Sequence, residues 1–293
     1  MTLGRESKAI AIVVVCAALW GFWWLPVSLM ERAGFQGPWI AFALNVVTLP
    51  VAAIAAWLGG WQMSGRAVLG ALLIGLAVSL YAMAASYTDF IRAVILFYFA
   101  PAWSTLIEII WFRRKWTRWV TLALSLSFTG ILLISRGEIS FDGLGAVGDW
   151  MALASGLSWS VGVALLFSGE RANVTGAFLV TLLGGAGAAL IVGLVDGSLA
   201  GGLPEIRLTE TLEAAVVGVL YLGILLGGTL WGAFRLPPAV MTYLLSVEIL
   251  GGVLSSAILL DERFGVFEIG GAVCILAAVF VEVLSRRDSA VRP

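Results

Sequence analysis

Long apolar segments restrict the fold of this chain more than any other feature of its sequence. A helix needs about 20 apolar residues to cross roughly 30 Å of hydrocarbon. Of the 293 residues, 61% are hydrophobic and 12% are charged, far from the balance of soluble domains. The sequence contains ten such segments, which we predict to be transmembrane helices, at residues 9–30, 38–58, 67–87, 91–112, 119–135, 147–168, 177–195, 213–233, 237–259 and 266–285. The predicted fold class is therefore an all-α polytopic membrane protein.

Several classes of function lack the residues that they require. Histidine is absent, which removes the usual proton shuttle, metal ligand and catalytic base. Cys16 and Cys274 lie in apolar segments, so we expect neither a disulfide nor a metal site. A net charge of −1 provides no basic face for nucleic acid. The chain has no Walker-type sequence, so we expect no ATP-driven pumping and no cofactor.

The distribution of Lys and Arg predicts the orientation in the membrane. Positively charged loops stay in the cytoplasm. With the N-terminus inside, 12 of the 17 basic residues fall in inner segments and the other 5 in outer loops. We therefore predict a multi-pass protein of the cell inner membrane with both termini in the cytoplasm.

An internal repeat divides the chain into two halves. Residues 18–33 align with residues 157–172 at a shift of 139, which pairs Trp20 with Trp159. Later helices align at a shift of 148, which pairs Gly70 with Gly218 and Gly75 with Gly223. Because each half has five helices, the second half must begin on the opposite side of the membrane. The sequence predicts two inverted five-helix repeats, residues 1–140 and 141–293, as secondary transporters use around a midplane site.

The segment "YLGILLGGTLWGAFRLPPAVMTYLLSVEILGGVLSSAILLDERF" at residues 221–264 carries a family resemblance. Together with the ten spans and the tryptophan in the first helix of each half, it resembles the EamA-type branch of the drug/metabolite transporter superfamily. Glu248 and Glu262-Arg263 match the family pattern. Ile249 stands where that family commonly has proline, and Asp261 where it has glycine.

The resemblance implies more than the residues alone do. The aromatic-rich first helix is similar to that of YddG-type exporters of aromatic and other amino acids. In the family architecture, helices 1 to 4 and 6 to 9 surround a central cavity, and helices 5 and 10 pack outside it. The partners implied are a small-molecule substrate and the lipid bilayer, whereas monomer and homodimer remain equally open.

Acidic side chains inside spans are candidates for function, because a charge there is costly and usually faces a cavity. Glu268 and Glu282 lie near the ends of helix 10, where they can reach the interface. Glu108 shares a polar helical face with Tyr98, and we consider it for coupling or for packing between helices. Glu248 lies near mid-span, where it can hold a substrate ammonium group, exchange a proton, or serve as a neutral structural acid.

Aromatic side chains near mid-span are the second group of candidates. Trp20 and Trp159 each lie about midway along a span and are related by the repeat, so a two-fold arrangement brings both to one axis. Paired rings there can stack a planar group or hold a cation, although ordinary helix packing is the alternative. Trp23 and Trp24 follow on the same broad face, either at the cavity mouth or in packing contacts.

Polar groups and prolines within helices 2 and 4 complete the predicted site. Asn45 is a polar candidate in helix 2, and Pro50 and Pro101 free backbone carbonyls inside spans. The predicted substrate-binding residues are Trp20, Trp24, Asn45, Tyr81, Tyr98, Trp103, Trp159, Tyr243 and Glu248, with Glu108 and Glu248 as coupling candidates.

We predict a secondary transporter that exports small metabolites, chiefly amino acids including aromatic ones, by alternating access. A broad exporter of drugs or other metabolites fits the sequence as well. A membrane enzyme needs a cluster of acids, histidines or bases at one face, and only the "RRK" run at residues 113–115 is present. A pore is a further alternative, although an inverted repeat favours a carrier.

Overall fold

The computed structural model describes residues 3–84, 86–88, 90–135, 145–168, 171–198, 207–259 and 265–290. These residues form fourteen α-helices and one π-helical turn. The helices are α1 (Leu3–Trp20), α2 (Trp24–Arg32), α3 (Pro38–Gly59), α4 (Gly65–Ala84), α5 (Phe90–Phe97), α6 (Ala100–Trp111), α7 (Arg118–Ile134), α8 (Val147–Phe167), α9 (Val174–Val195), α10 (Leu208–Tyr221), α11 (Gly227–Ala233), α12 (Pro238–Leu245), α13 (Val247–Leu259) and α14 (Val266–Ala290). The π-helical turn, Leu222–Leu226, joins α10 to α11.

The helices confirm the all-α polytopic fold predicted from the apolar segments. Among the described residues, nine helical stretches are long and apolar enough to cross a membrane, and α7 is a shorter apolar helix of 17 residues. In chain order we call these ten stretches spans 1 to 10. Span 1 combines α1 with α2, span 4 combines α5 with α6, span 8 combines α10, the π turn and α11, and span 9 combines α12 with α13.

The predicted end of span 3 is one of several boundaries that differ from the structure by three to six residues. The sequence predicted helix through residue 87, but α4 ends at Ala84 and Tyr87 lies in a turn. The Tyr87 hydroxyl donates a hydrogen bond to the Asp196 carboxylate, just after α9. This tertiary contact holds Tyr87 outside the helix, and no local pattern in the sequence indicates it.

Close backbone contacts join span 3 to spans 6 and 7. A Cβ atom on Gly70 would lie 2.9 Å from the carbonyl oxygen of Gly162 in α8. A Cβ atom on Gly75 would lie 2.0 Å from the carbonyl oxygen of Thr181 in α9. Only glycine therefore fits where these helices cross, as small residues at membrane helix interfaces permit.

Spans 5 and 10 pack against each other through a second pair of glycines. A Cβ atom on Gly130 of α7 would lie 2.8 Å from the carbonyl oxygen of Gly271. The reverse contact, from Gly271 to the Gly130 carbonyl oxygen, would measure 2.5 Å. Their outer faces carry exposed apolar side chains such as Leu132, Val273 and Phe280, which suit contact with lipid.

Four spans are interrupted near their middles. The breaks lie at residues 21–23 in span 1, 98–99 in span 4, 222–226 in span 8 and 246 in span 9. Interrupted helices leave backbone groups that need protein or cavity partners inside a bilayer. The breaks therefore mark the level of the protein at which a site is expected.

Candidate substrate site

A pocket lies where the interrupted spans meet. Its empty volume is about 500 Å³ when the open space at the mouth is included. The described residues that line it are Trp20, Trp23, Ala77, Val78, Tyr81, Phe97, Trp159, Thr229, Leu245 and Glu248. These residues come from spans 1, 3, 4, 6, 8 and 9, so both halves of the chain build the pocket.

Aromatic rings form two groups in the pocket wall. Trp20 and Trp23 of span 1 have ring centroids 5.4 Å apart. Tyr81 of span 3 and Phe97 of span 4 have ring centroids 4.3 Å apart and an interplanar angle of 30°. Trp20 is the last residue of α1 and Trp23 lies in the turn at residues 21–23, so the break in span 1 brings both tryptophans to the pocket. Rings in such numbers provide faces for a planar or cationic ligand.

The two tryptophans that the repeat relates both reach this pocket but differ in hydrogen bonding. Trp20 donates from Nε1 to Oγ1 of Thr229, at 3.1 Å. The Trp159 side chain is 4% exposed, and its Nε1 atom has no hydrogen-bond acceptor among the described residues. A buried donor without an acceptor is costly, so Trp159 has an N–H group available for a ligand.

Glu248 is the only carboxylate among the described lining residues. It lies in the first turn of α13, directly after the break at residue 246, where the helix dipole favours a negative charge. The hydroxyl of Tyr98 lies beside this carboxylate but outside the geometry of a well-formed hydrogen bond. The pocket thus combines an apolar aromatic wall with one acidic group.

Five of the predicted binding residues lie outside the pocket lining. Trp24 donates from Nε1 to Oγ of Ser255, 3.0 Å away, and so ties α2 to α13. Asn45 donates to the carbonyl oxygen of Ala41 at 2.7 Å, within span 2. The remaining three are Tyr98, Trp103 and Tyr243.

Glu108, the other coupling candidate, belongs to a buried ion-pair cluster at the predicted inner end. Arg114 donates to Glu108 at 3.1 Å and to Glu282 at 2.9 Å. Glu108 also accepts a hydrogen bond of 2.8 Å from the backbone N–H of Ala239. The cluster therefore fastens the end of span 4 to the start of span 9 and to span 10. Burial by itself lowers the pKa of Arg114, but the two carboxylates outweigh that effect and raise its pKa above the usual value.

A cluster of three hydroxyl groups connects the halves near the pocket. Ser104 of span 4 donates to Ser160 of span 6 at 2.9 Å and lies 2.6 Å from the hydroxyl of Thr242 in span 9. All three side chains are buried. Ser160 directly follows Trp159, so this cluster helps to position the span that carries the unpaired indole.

Sequence reasoning missed several residues of the pocket wall. Phe97 and Leu245 directly precede the breaks in spans 4 and 9, which the apolar pattern does not indicate. Thr229 is a hydroxyl residue in the middle of span 8, and that position was a usable signal. Ala77 and Val78 give no chemical signal. Among the described residues, no group of His, Cys, Asp and Glu is arranged to hold a metal ion.

Comparison with known proteins places the fold and part of the sequence. Residues 7–136 match the EamA-like transporter family. A protein crystal structure superposes on this chain with a TM-score of 0.72 and 18% sequence identity, covering 96% of this chain and 98% of the other. No functionally curated protein matches the sequence. The chain is therefore a multi-pass α-helical membrane protein with the fold of a solved structure, and its first half is similar to EamA-like transporters.

Proposed function

We propose that the chain is a secondary transporter of the EamA-like type that exports small metabolites, chiefly amino acids including aromatic ones. The single observation that carries the proposal is the convergence of four interrupted spans on an aromatic pocket with one carboxylate. Discontinuous helices near the midplane are how secondary transporters build substrate and ion sites. We further propose an inner-membrane location with cytoplasmic termini.

The positions of two breaks support an inverted repeat. The shift of 148 residues, inferred from the later helices, relates Tyr98 in the break of span 4 to Ser246 in the break of span 9. Interrupted segments at corresponding positions of two halves point to the binding site of such transporters. Alternating access then follows if the two halves rock around the pocket between them.

Glu248 supplies the polar recognition in this mechanism. A carboxylate inside a membrane protein is costly unless a cation or a proton neutralises it. A substrate ammonium group beside Glu248 would neutralise its charge, and a proton would neutralise it after the substrate has left. The rings of Trp20 and Trp159 would hold the apolar part of the substrate during the same step.

A broad exporter of drugs or other metabolites is the second candidate. The observation that favours it is the mostly apolar wall, since eight of the ten described lining residues are aromatic or aliphatic and only Thr229 and Glu248 are not. A wall of that kind binds by shape and hydrophobicity, which discriminates weakly between apolar ligands.

Transport by the purified protein in proteoliposomes tests the proposal. We expect saturable uptake of labelled tryptophan that Glu248→Gln reduces and that an imposed pH gradient alters. A matched panel of planar drugs decides between the two candidate functions. Flux that rises linearly with concentration, with an electrical conductance, would instead indicate a pore. The absence of flux for every compound would refute both candidates.

A further inference from the structure

Within the proposed function, we infer that the pocket selects its substrate by positive charge, so that aromatic amines without a carboxylate bind more tightly than the corresponding amino acids. The inference rests on the proposed function and specifies its substrate class. It arises from the charges that the pocket contains and from those that it lacks.

The first step is the charge balance of the wall. Glu248 is the only acidic residue among the described lining residues, and none of them is basic. A zwitterionic amino acid would bring a carboxylate into this space together with its ammonium group. That carboxylate would lose its hydration and would meet a like charge without a counter-ion. An amine without a carboxylate brings only a positive charge, which can pair with the Glu248 carboxylate.

The second step concerns the basic groups elsewhere that are buried or stacked. Arg92 pairs with Asp149 at 3.6 Å, and Arg114 pairs with Glu108 and Glu282. Arg235 donates to the carbonyl oxygen of Trp231 at 2.8 Å and stacks over the ring of that residue. These three arginines are occupied with other partners and none of them lines the pocket. The described wall therefore has no counter-ion for a substrate carboxylate.

The third step is the aromatic content of the wall. Five of the ten described lining residues carry aromatic rings, namely Trp20, Trp23, Tyr81, Phe97 and Trp159. Ring faces attract cations, more strongly where water is excluded, and they do not attract anions. The unpaired N–H group of Trp159 adds one neutral donor to this set. Together the rings and Glu248 suit an ammonium ion on a flat apolar body.

The experiment uses four indole compounds that share one ring system and differ in charge. Equilibrium binding of radiolabelled tryptamine to the purified full chain is measured in competition with unlabelled tryptamine, tryptophan, N-acetyltryptamine and indole-3-propionate. We expect tryptamine, a cation, to bind about tenfold more tightly than tryptophan, because the ring attraction and the Glu248 charge both act on it. Indole-3-propionate, an anion, should compete least.

The variant Glu248→Gln separates charge recognition from shape. We expect this variant to lose about tenfold in tryptamine affinity while its affinity for neutral N-acetyltryptamine stays within about twofold. Retained binding of the neutral compound also demonstrates that the variant is folded. Glu268→Gln, at a membrane helix but outside the pocket lining, is the matched control and should leave all affinities unchanged.

The outcomes separate the inference from the proposed function. If tryptophan binds as tightly as tryptamine and is transported, the charge inference is wrong and the proposed function stands. An equal loss of charged and neutral ligands in Glu248→Gln also overturns the inference. If no indole compound binds and none is transported, both the inference and the proposed function fail.

Discussion

Span 3 and span 8 occupy corresponding places in the two predicted repeats, yet their glycines are packed very differently. Gly70 and Gly75 of span 3 would place a Cβ atom 2.9 Å and 2.0 Å from backbone oxygens of spans 6 and 7. A Cβ atom on Gly218, the predicted repeat partner of Gly70, would meet only the side chain of Leu44, at 2.5 Å. A Cβ atom on Gly223, the predicted partner of Gly75, would have no neighbour from another described segment within 4 Å. Span 3 is a continuous α-helix, whereas span 8 contains the π turn.

In the proposed carrier, such a difference would belong to one stage of the transport cycle. Two symmetric halves can expose a central site to one side only if one set of equivalent contacts is closed and the other is open. In this structure the backbone of span 3 lies in close contact with spans 6 and 7, whereas Gly223 of span 8 has no such contact with a described residue.

The largest expected effect tests the close backbone contacts of span 3 with spans 6 and 7. Gly75→Ala should destabilise the protein by about 3 kcal/mol or more, because its new methyl group overlaps the Thr181 backbone. Gly223→Ala should be neutral or stabilising by less than about 1 kcal/mol, since alanine favours helix and has space. Thermal unfolding in detergent measures both. Equal stability of the two variants would contradict the packing difference.

The next effect concerns the ion-pair cluster that joins spans 4, 9 and 10. Arg114→Gln leaves Glu108 and Glu282 without their shared cation, which should lower stability by about 2 to 3 kcal/mol. Arg207→Gln removes an exposed pair with Glu210 at 3.9 Å and should cost less than about 1 kcal/mol. A denaturation midpoint for each variant gives the comparison. A smaller loss in Arg114→Gln than in Arg207→Gln would refute the role of the cluster.

A smaller effect distinguishes the two repeat-related tryptophans. Trp20→Phe loses the hydrogen bond to Thr229 of span 8, whereas Trp159→Phe loses no hydrogen bond to a described residue. We expect Trp20→Phe to be less stable than Trp159→Phe by about 1 kcal/mol. Trp159→Phe should instead lower the affinity for tryptamine while it leaves the stability of the ligand-free protein nearly unchanged. Thermal unfolding with and without tryptamine checks both statements, and the reverse order would contradict them.

The smallest effect lies at the C-terminal ends of spans 3 and 7, where Tyr87 donates a hydrogen bond to Asp196. Burial, followed by this hydrogen bond, raises the pKa of Tyr87 to about 12, and the bond is the main cause that lowers the pKa of Asp196. The Asp196 contribution to stability is therefore present above about pH 4 and is lost as the pH falls through its folded pKa. The Tyr87 contribution to stability is present below about pH 10 and is lost as the pH rises through the raised pKa of the folded state.

The variant Tyr87→Phe tests this pH window. Because Asp196 is exposed and screened by water, we expect Tyr87→Phe to lower the free energy of unfolding by less than about 1 kcal/mol at pH 7. At pH 3 the difference from the unchanged protein should diminish, as measured by thermal unfolding at both values. A difference that grows on acidification would contradict the assignment.

The sequence was sufficient for the spans but not for their breaks. Runs of apolar residues predicted each span to within a few residues, since bilayer thickness fixes the length of a helix. The breaks at residues 21–23 and 98–99 depend on contacts with other spans, such as the close approach of Gly21 to Gly251 and Gly252. Proline at position 101 was the only local hint of the break in span 4.

The prediction of the site was limited in the same way, because the sequence does not show which partner each side chain contacts. The repeat related Trp20 to Trp159, and both line the pocket. Trp24 and Asn45 were equally good candidates in the sequence, but hydrogen bonds to Ser255 of span 9 and to Ser79 of span 3 hold them outside the pocket lining. Residue type and depth in a span therefore identify candidates, whereas the partner that a side chain finds is decided by tertiary packing.

Counterflow in proteoliposomes tests the central claim most directly, namely that the pocket at the interrupted spans carries a substrate across the membrane. Vesicles loaded with unlabelled tryptamine receive a trace of labelled tryptamine outside, and its transient accumulation is followed over time. The account predicts accumulation with the unchanged protein and with Glu268→Gln, and its loss with Glu248→Gln. Accumulation of equal size and rate with Glu248→Gln would contradict the account.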